Sequence, residues 1–391
     1  MAPTPPTLEG VSARRAAAWA ATTLIGLGAA AVAVGRYAGD AALKAAPGHP
    51  LPGEPRLTVH DVASGTVTLT RTPAALRPGT YGLAGRRVHA VVGPVVPDVS
   101  HPHDCVVRRL EKVVTGTLQP GDRVRLTPQL HTGTPRDALG IDHEDVTVPG
   151  ELGPLPAWFV PGGRDTWVIS VHGPFAGREH AMVLMPFLHR HRLPVLAVTY
   201  RGDPGAPRQA HGISHFGARE WRDVDAAVRY AVASGARRVV LHGWSTGATM
   251  ALLAAVREAE GSSGPEIRGR VSGLVLDSPV LDWPALMGAL SVHRAPAPLI
   301  PLAVRAAEGR LGLAPDGLVE AADPGPLQVP VLVLHGTEDT LAPLERSRAL
   351  VARKPALFSL QTVRGAGHAG AWNTDPERYE EALRRFLVPL M

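Results

Sequence analysis

Arg238-Val-Val-Leu-His242 runs into Gly243-Trp244-Ser245-Thr246-Gly247, and a helical pattern continues from Ala248 to Ala259. An apolar strand, a tight turn and a helix in that order is the setting in which a G-x-S-x-G pentapeptide forms a nucleophile elbow, with the serine hydroxyl raised above the strand ends. Ser245 is therefore the candidate nucleophile, and Gly243 and Gly247 are expected to bear the strain of the turn. The pentapeptide alone is a weak signal that an ordinary Gly-Ser turn would also satisfy. Its weight comes from the residues that follow it.

Outward from the elbow, strands alternate with helices. Leu155–Val160, Trp167–Val171, Pro194–Tyr200, Arg237–His242, Val271–Leu276, Val331–Leu334 and Phe358–Val363 read as strands. Gly177–Arg192, Ala218–Ser234, Leu344–Arg353 and Pro376–Val388 read as helices between them. This alternation predicts an α/β fold, a mostly parallel sheet with helices on both faces, whose ligands lie at the carboxyl ends of the strands. Asp339, in His335-Gly-Thr-Glu-Asp339, follows one such strand and is the candidate acid that orients a histidine, with a helix-capping role as the alternative. Asp277 would take that part if the acid followed the preceding strand instead. His368, in Gly365-Ala-Gly-His368-Ala-Gly370, follows the last strand in a glycine-rich loop and is the candidate base, since imidazole titrates near neutrality. His172, His242 and His335 lie less favourably, at or within strand ends.

The chain order Ser, Asp, His on such a sheet resembles the α/β-hydrolases, over about residues 145–391. The His-Gly turn at 172–173, Gly-Trp-Ser-Thr-Gly, Leu-Asp-Ser-Pro at 276–279 and His-Gly-Thr-Glu-Asp are similar to bacterial serine hydrolases of the dienelactone-hydrolase-like and dipeptidyl-peptidase-like kind. The resemblance implies an acyl-enzyme route on a small-molecule acyl substrate without metal or organic cofactor, ester being the expected bond. Ser245 attacks, His368 serves as base then acid, and Asp339 orients it. It also implies an oxyanion hole from two backbone N–H groups, the first that of Thr246. The second should come from the residue after Gly173, but that is Pro174, which has no N–H. Either Phe175 takes the role or a donor is missing. A peptidase and a hydrolase-like binding protein are the alternative readings.

Before the sheet, residues 56–140 hold short strand-like runs such as Val67–Thr70, Arg87–Val92, Cys105–Leu110 and Val124–Leu126, separated by Pro-Gly turns, and read as a small β-rich subdomain. Residues 1–15 read as a flexible tail and 45–55 as a Pro/Gly-rich linker. Between them, 16–36 contains twenty uncharged residues after Arg14-Arg15, long enough for a membrane anchor that leaves the hydrolase domain outside, or for a cleaved signal peptide. The insertion at about 279–328, broken by Pro296, Pro298 and Pro301, is expected to form a short cap over the pocket. Other chemistries find little support. The net charge of +5 comes without an aromatic-interleaved basic patch, which argues against nucleic acid. The single cysteine, Cys105, excludes an internal disulfide, and His101, His103 and Asp104 lack a second ligand pair for a metal. Oligomeric state is not encoded in any of these features.

Overall fold

A computed structural model describes residues 32–39, 43–44, 54–97, 99–209, 212–292, 296–311 and 323–391. Six strands come first: β1 (Leu57–Ala63), β2 (Thr66–Thr70), β3 (Tyr81–Ala84), β4 (His89–Val95), β5 (Cys105–Thr115) and β6 (Arg123–Thr127). They close a barrel in the order β1-β2-β5-β4-β3-β6. Strict alternation drives this closure. Val67 and Leu69 of β2, and Val124 and Leu126 of β6, point inward while their neighbours stay at least partly exposed. Cys105, at the start of β5, is buried.

The second layer is an eight-stranded sheet. It contains β7 (Glu144–Gly150), β8 (Gly153–Val160), β9 (Thr166–Val171), β10 (Val195–Val198), β11 (Arg238–Trp244), β12 (Val271–Asp277), β13 (Val331–Gly336) and β14 (Phe358–Val363). The order is β14-β13-β12-β11-β9-β10-β8-β7, parallel except where β8 meets β10 and β7 meets β8. Every residue of β9, β10 and β13 is buried, as expected of parallel strands covered on both faces. The helix Pro376–Leu387 shows how one face is covered: Tyr379, Leu383 and Leu387, spaced by one helical turn, are buried, while its charged residues face outward. The helix expected at 177–192 is two pieces, a 3-10 turn at Arg178–Val183 and a helix at Met185–Arg190. Pro186, without an N–H, sits in the first turn of the second piece, where it starts a helix but cannot continue one.

The barrel docks on the short helix Ala371–Thr374, which follows the loop that carries His368. Asn373 Nδ2 donates to Thr80 O at 3.0 Å and to Pro128 O at 2.9 Å, Thr80 N donates back to Asn373 O at 2.9 Å, and the Tyr81 and Thr374 hydroxyls bond at 2.7 Å. The barrel's side of this contact is shaped by Arg108. Fully buried, its guanidinium donates to the carbonyls of Gly93, Ala75, Arg77 and Gly79 at 2.7–2.9 Å. Burial pushes its pKa down to about 10, which still leaves it charged at neutral pH.

Near the N-terminus, 32–39 is helical and Ala38 packs on Ala303 of the helix Ile300–Leu311. Leu43 is fully buried in the main core, and its carbonyl accepts from Ser214 N at 2.9 Å. Most of the expected anchor, 16–31, lies outside the described residues, as do the tail 1–15 and residues 45–53 of the linker. Among the described residues no helix is long and apolar enough to cross a membrane, so the anchor expected at 16–36 finds no support here. Its last five residues instead belong to the helix seated against Ile300–Leu311.

Arg108→Ala should lower stability by about 3 kcal/mol or more, because it leaves buried carbonyls without donors as well as removing the side chain's packing. Denaturant unfolding at matched m-values checks this, and a loss under about 1 kcal/mol would mean that the loop does not depend on the guanidinium.

Candidate active site

β11 ends at Trp244 and the next helix, Thr246–Ala259, begins one residue later, so Ser245 makes the whole reversal. Its backbone sits at φ 57, ψ −126. The strain therefore lies on the serine itself rather than on the flanking glycines, neither of which has a positive φ. The glycines serve close approach. A Cβ on Gly247 would meet Val171 O at 2.2 Å, and one on Gly243 would meet Gly247 C at 2.4 Å, so only hydrogen at these positions lets the helix begin against β9.

The structure brings Ser245, His368 and Asp339 together. The Ser245 hydroxyl lies 2.7 Å from His368 Nε2, and His368 Nδ1 donates to Asp339 Oδ2 at 2.8 Å and Oδ1 at 3.0 Å. Asp339 is also held in place by Leu341 N and Ala342 N, each donating to Oδ1 at 2.9 Å, and by His335 Nε2 at 3.2 Å from Oδ2. It thus combines the two parts proposed for it, binding the histidine and satisfying the turn before the helix Leu344–Arg353. Burial opposes its ionisation, but His368 and His335 outweigh that and hold the carboxyl below the usual carboxylate range. For His368, burial opposes the charge while Asp339 and then Asp277 favour it more strongly, so its pKa is raised.

Ser245 and His368 line a cavity of about 30 Å³ whose walls include Pro174, Phe175, His180 and Trp244. The opposite wall is Thr127, Pro128 and Gln129, at the end of the barrel, and no described residue of the insertion 279–328 lines it. His180 stacks on Trp244 at 4.5 Å, and burial pushes its pKa down to about 3, so it is neutral. The Thr246 and Phe175 N–H groups donate to no acceptor among the described residues. The turn carrying Phe175 is fixed from behind: Ala176 N bonds Gly173 O at 3.2 Å, and His172 Nδ1 donates to the same carbonyl at 2.8 Å. His172 Nε2 donates in turn to Asp203 Oδ2 at 2.9 Å.

One polar connection was not foreseen. Asp277, at the end of β12, is fully buried, and its Oδ1 accepts from Ser278 Oγ at 2.9 Å. Ser278 Oγ accepts from Ala369 N at 3.0 Å, next to His368. The strand-end position of Asp277 could be read from Leu-Asp-Ser-Pro, but its bond through Ser278 to the histidine loop spans 91 residues and has no local signature.

The family described as alpha/beta hydrolase matches residues 159–382, and a domain of unknown function matches residues 58–127. The chain belongs to the alpha/beta hydrolase family. Among solved structures, an esterase of Pyrococcus furiosus is 22% identical, with 66% of this chain and 94% of that one covered at a TM-score of 0.52. An esterase of Pyrobaculum calidifontis is 19% identical over 64% of this chain and 85% of that one, with a TM-score of 0.47. The first of these likenesses supports the fold. No curated protein sequence matches the chain.

Burial pushes the Asp277 carboxyl up to about 6, against the opposing effects of Ser278, His335, Tyr379 and His368. Its negative charge helps raise the pKa of His368, so removing that charge makes the imidazolium less stable. With His368 as the expected base, which must be deprotonated to act, Asp277→Asn should therefore move the acid limb of the kcat/KM profile to lower pH. The wild-type limb should reflect both groups titrating together. A limb that stays in place, measured between pH 4 and 8, would show that Asp277 acts through folding alone.

Proposed function

We propose that the chain is a serine hydrolase that cleaves esters of short acids through an acyl-enzyme. The observation that carries this reading is the continuous relay from Ser245 Oγ through His368 to Asp339, with bonds of 2.7 and 2.8 Å, at a strained strand-to-helix turn. In the proposed reaction His368 Nε2 takes the serine proton as Oγ attacks the carbonyl carbon, and Asp339 holds the imidazolium that forms. The Thr246 and Phe175 N–H groups stabilise the negative oxygen. His368 then protonates the departing alcohol, and water repeats the sequence on the acyl-enzyme to release the acid. The small cavity at Ser245, walled on one side by Pro128 and Gln129, favours a short acyl group over the bulkier residues of a polypeptide. Ester hydrolysis is accordingly preferred over peptidase activity.

Ser245→Ala should abolish labelling by a fluorophosphonate, and Asp339→Asn should lower kcat by about 10⁴ while leaving a measurable rate. p-Nitrophenyl acetate should be turned over faster than the octanoate. A folded wild-type protein that neither labels nor hydrolyses any ester of this series would refute the reading.

Pro174→Gly should lower kcat by a fewfold. Proline removes no needed donor if Phe175 supplies it, whereas glycine adds about 1 kcal/mol of backbone freedom to the turn. A rise in kcat on steady-state assay would instead mean that an oxyanion donor is missing in the wild type.

A further inference from the structure

A second cavity, of about 310 Å³, adjoins the one at Ser245, and Gln129 lines both. The chain passes from one to the other within a single step, since Ala176 lines the first and Gly177 the second. Thr132, Arg178, Glu179, Thr199 and Asp203 contribute to the second cavity, so its walls are rich in hydrogen-bonding side chains.

Two of these side chains keep unused bonding capacity. Asp203 is 3% exposed; its Oδ2 accepts from His172 Nε2 and Tyr200 N, each at 2.9 Å, whereas Oδ1 is buried without a partner among the described residues. Arg178 lies over the Trp158 ring, 4.1 Å from its centroid, and its Nη1 is likewise buried without a partner. Both atoms are already shielded from water, and an alkyl chain beside them would leave each without a partner. A hydroxyl both donates and accepts, so it can serve a carboxylate and a guanidinium alike. The mixed signs of Arg178, Glu179 and Asp203 favour a neutral ligand over an ion.

Resting on the hydrolase reading above, we propose that this second cavity is the subsite for the alcohol portion of the substrate, and that the enzyme takes short-chain esters of polyols, such as acetylated glycerol or sugars. The carbonyl then lies at Ser245 with its small acyl group in the narrow cavity. The hydroxyl-bearing alcohol extends past Gln129 toward Arg178 and Glu179.

The test compares kcat/KM for 1-O-acetylglycerol and propyl acetate, which differ in the two hydroxyls, in the wild type and in the variants Glu179→Gln and Arg178→Gln. The wild type should prefer acetylglycerol by about tenfold or more, the order expected for a hydrogen bond to a charged group. Each substitution should lower that preference, and comparing the ratio between proteins cancels the intrinsic reactivity of the two esters. Glu179→Gln preserves shape and keeps the test available should Arg178→Gln fail to fold. Equal turnover of the two esters by the wild type, or a ratio that neither variant changes, overturns the subsite while leaving the hydrolase reading in place. Loss of both activities together with absence of fluorophosphonate labelling overturns the hydrolase reading, and the subsite with it.

Discussion

The constraint on which the rest depends is the backbone of Ser245, held at φ 57 between β11 and its helix. A non-glycine residue in that region costs on the order of 1–3 kcal/mol and persists only where its surroundings leave no alternative. Here the surroundings are the sheet. Ser245 N donates to Asp277 O at 2.9 Å, fixing the turn to the end of β12, while Gly247 presses on the carbonyls of Val171 and His172 at the end of β9. Two more non-glycine residues with positive φ lie close in this network, Ser278 at 49 and Ala369 at 52, joined by the bond from Ala369 N to Ser278 Oγ. Strain thus gathers where Ser245 and the histidine loop are brought into register.

The barrel forms part of the same arrangement. Between β2 and β3 the carbonyls of Ala75, Arg77 and Gly79 converge on the Arg108 guanidinium, and Thr80, the next residue, meets Asn373 in the short helix after the histidine loop. Through Asn373 the same contact reaches Pro128, which lines the cavity at Ser245. The stretch matched at 58–127 therefore meets the site at two points, through Thr127 in the cavity wall and through Thr80, bonded to Asn373 five residues after His368. A hydrophobic interface alone would hold the barrel nearby. Directed bonds to opposed carbonyls fix its orientation as well.

The elbow, the alternating sheet and the positions of Asp339 and His368 were readable because each is a local pattern with a topological consequence: a residue just after a parallel strand lies at the ligand edge whatever the loops do. β14 and the helix Leu344–Arg353 occur with the bounds their patterns suggest. β1 and β3 were not readable. β1 shifts register between Val59 and Asp61, which breaks its alternation, and β3 has four residues including a glycine. The cavity wall at 127–129 was hidden for a different reason. It rests on contacts such as Asn373 to Pro128, 245 residues apart, which no window of sequence contains, whereas the irregularity of the proline-broken insertion is local.

Which histidine suits the base of the proposed reaction is likewise decided by what stands opposite each nitrogen. His172, His242, His335 and His368 are all buried near strand ends, so burial alone cannot sort them. Both nitrogens of His172 face acceptors, Gly173 O and Asp203, and burial, though opposed to charge, is outweighed there by the carboxylate, which raises its pKa. With Gly173 O at one nitrogen and Asp203 at the other, this ring turns no free lone pair toward Ser245. His335 is engaged by Ser347 and by the carbonyl of Ala342, and His242 has Nε2 on the Tyr379 hydroxyl with burial pushing its pKa down to about 3. At His368 the carboxylate occupies only Nδ1, so Nε2 keeps its lone pair toward the Ser245 hydroxyl while the acid behind it stabilises the cation that would form. An acceptor nitrogen toward the nucleophile and a charge on the far side are both required of a base, and among these four rings His368 meets both.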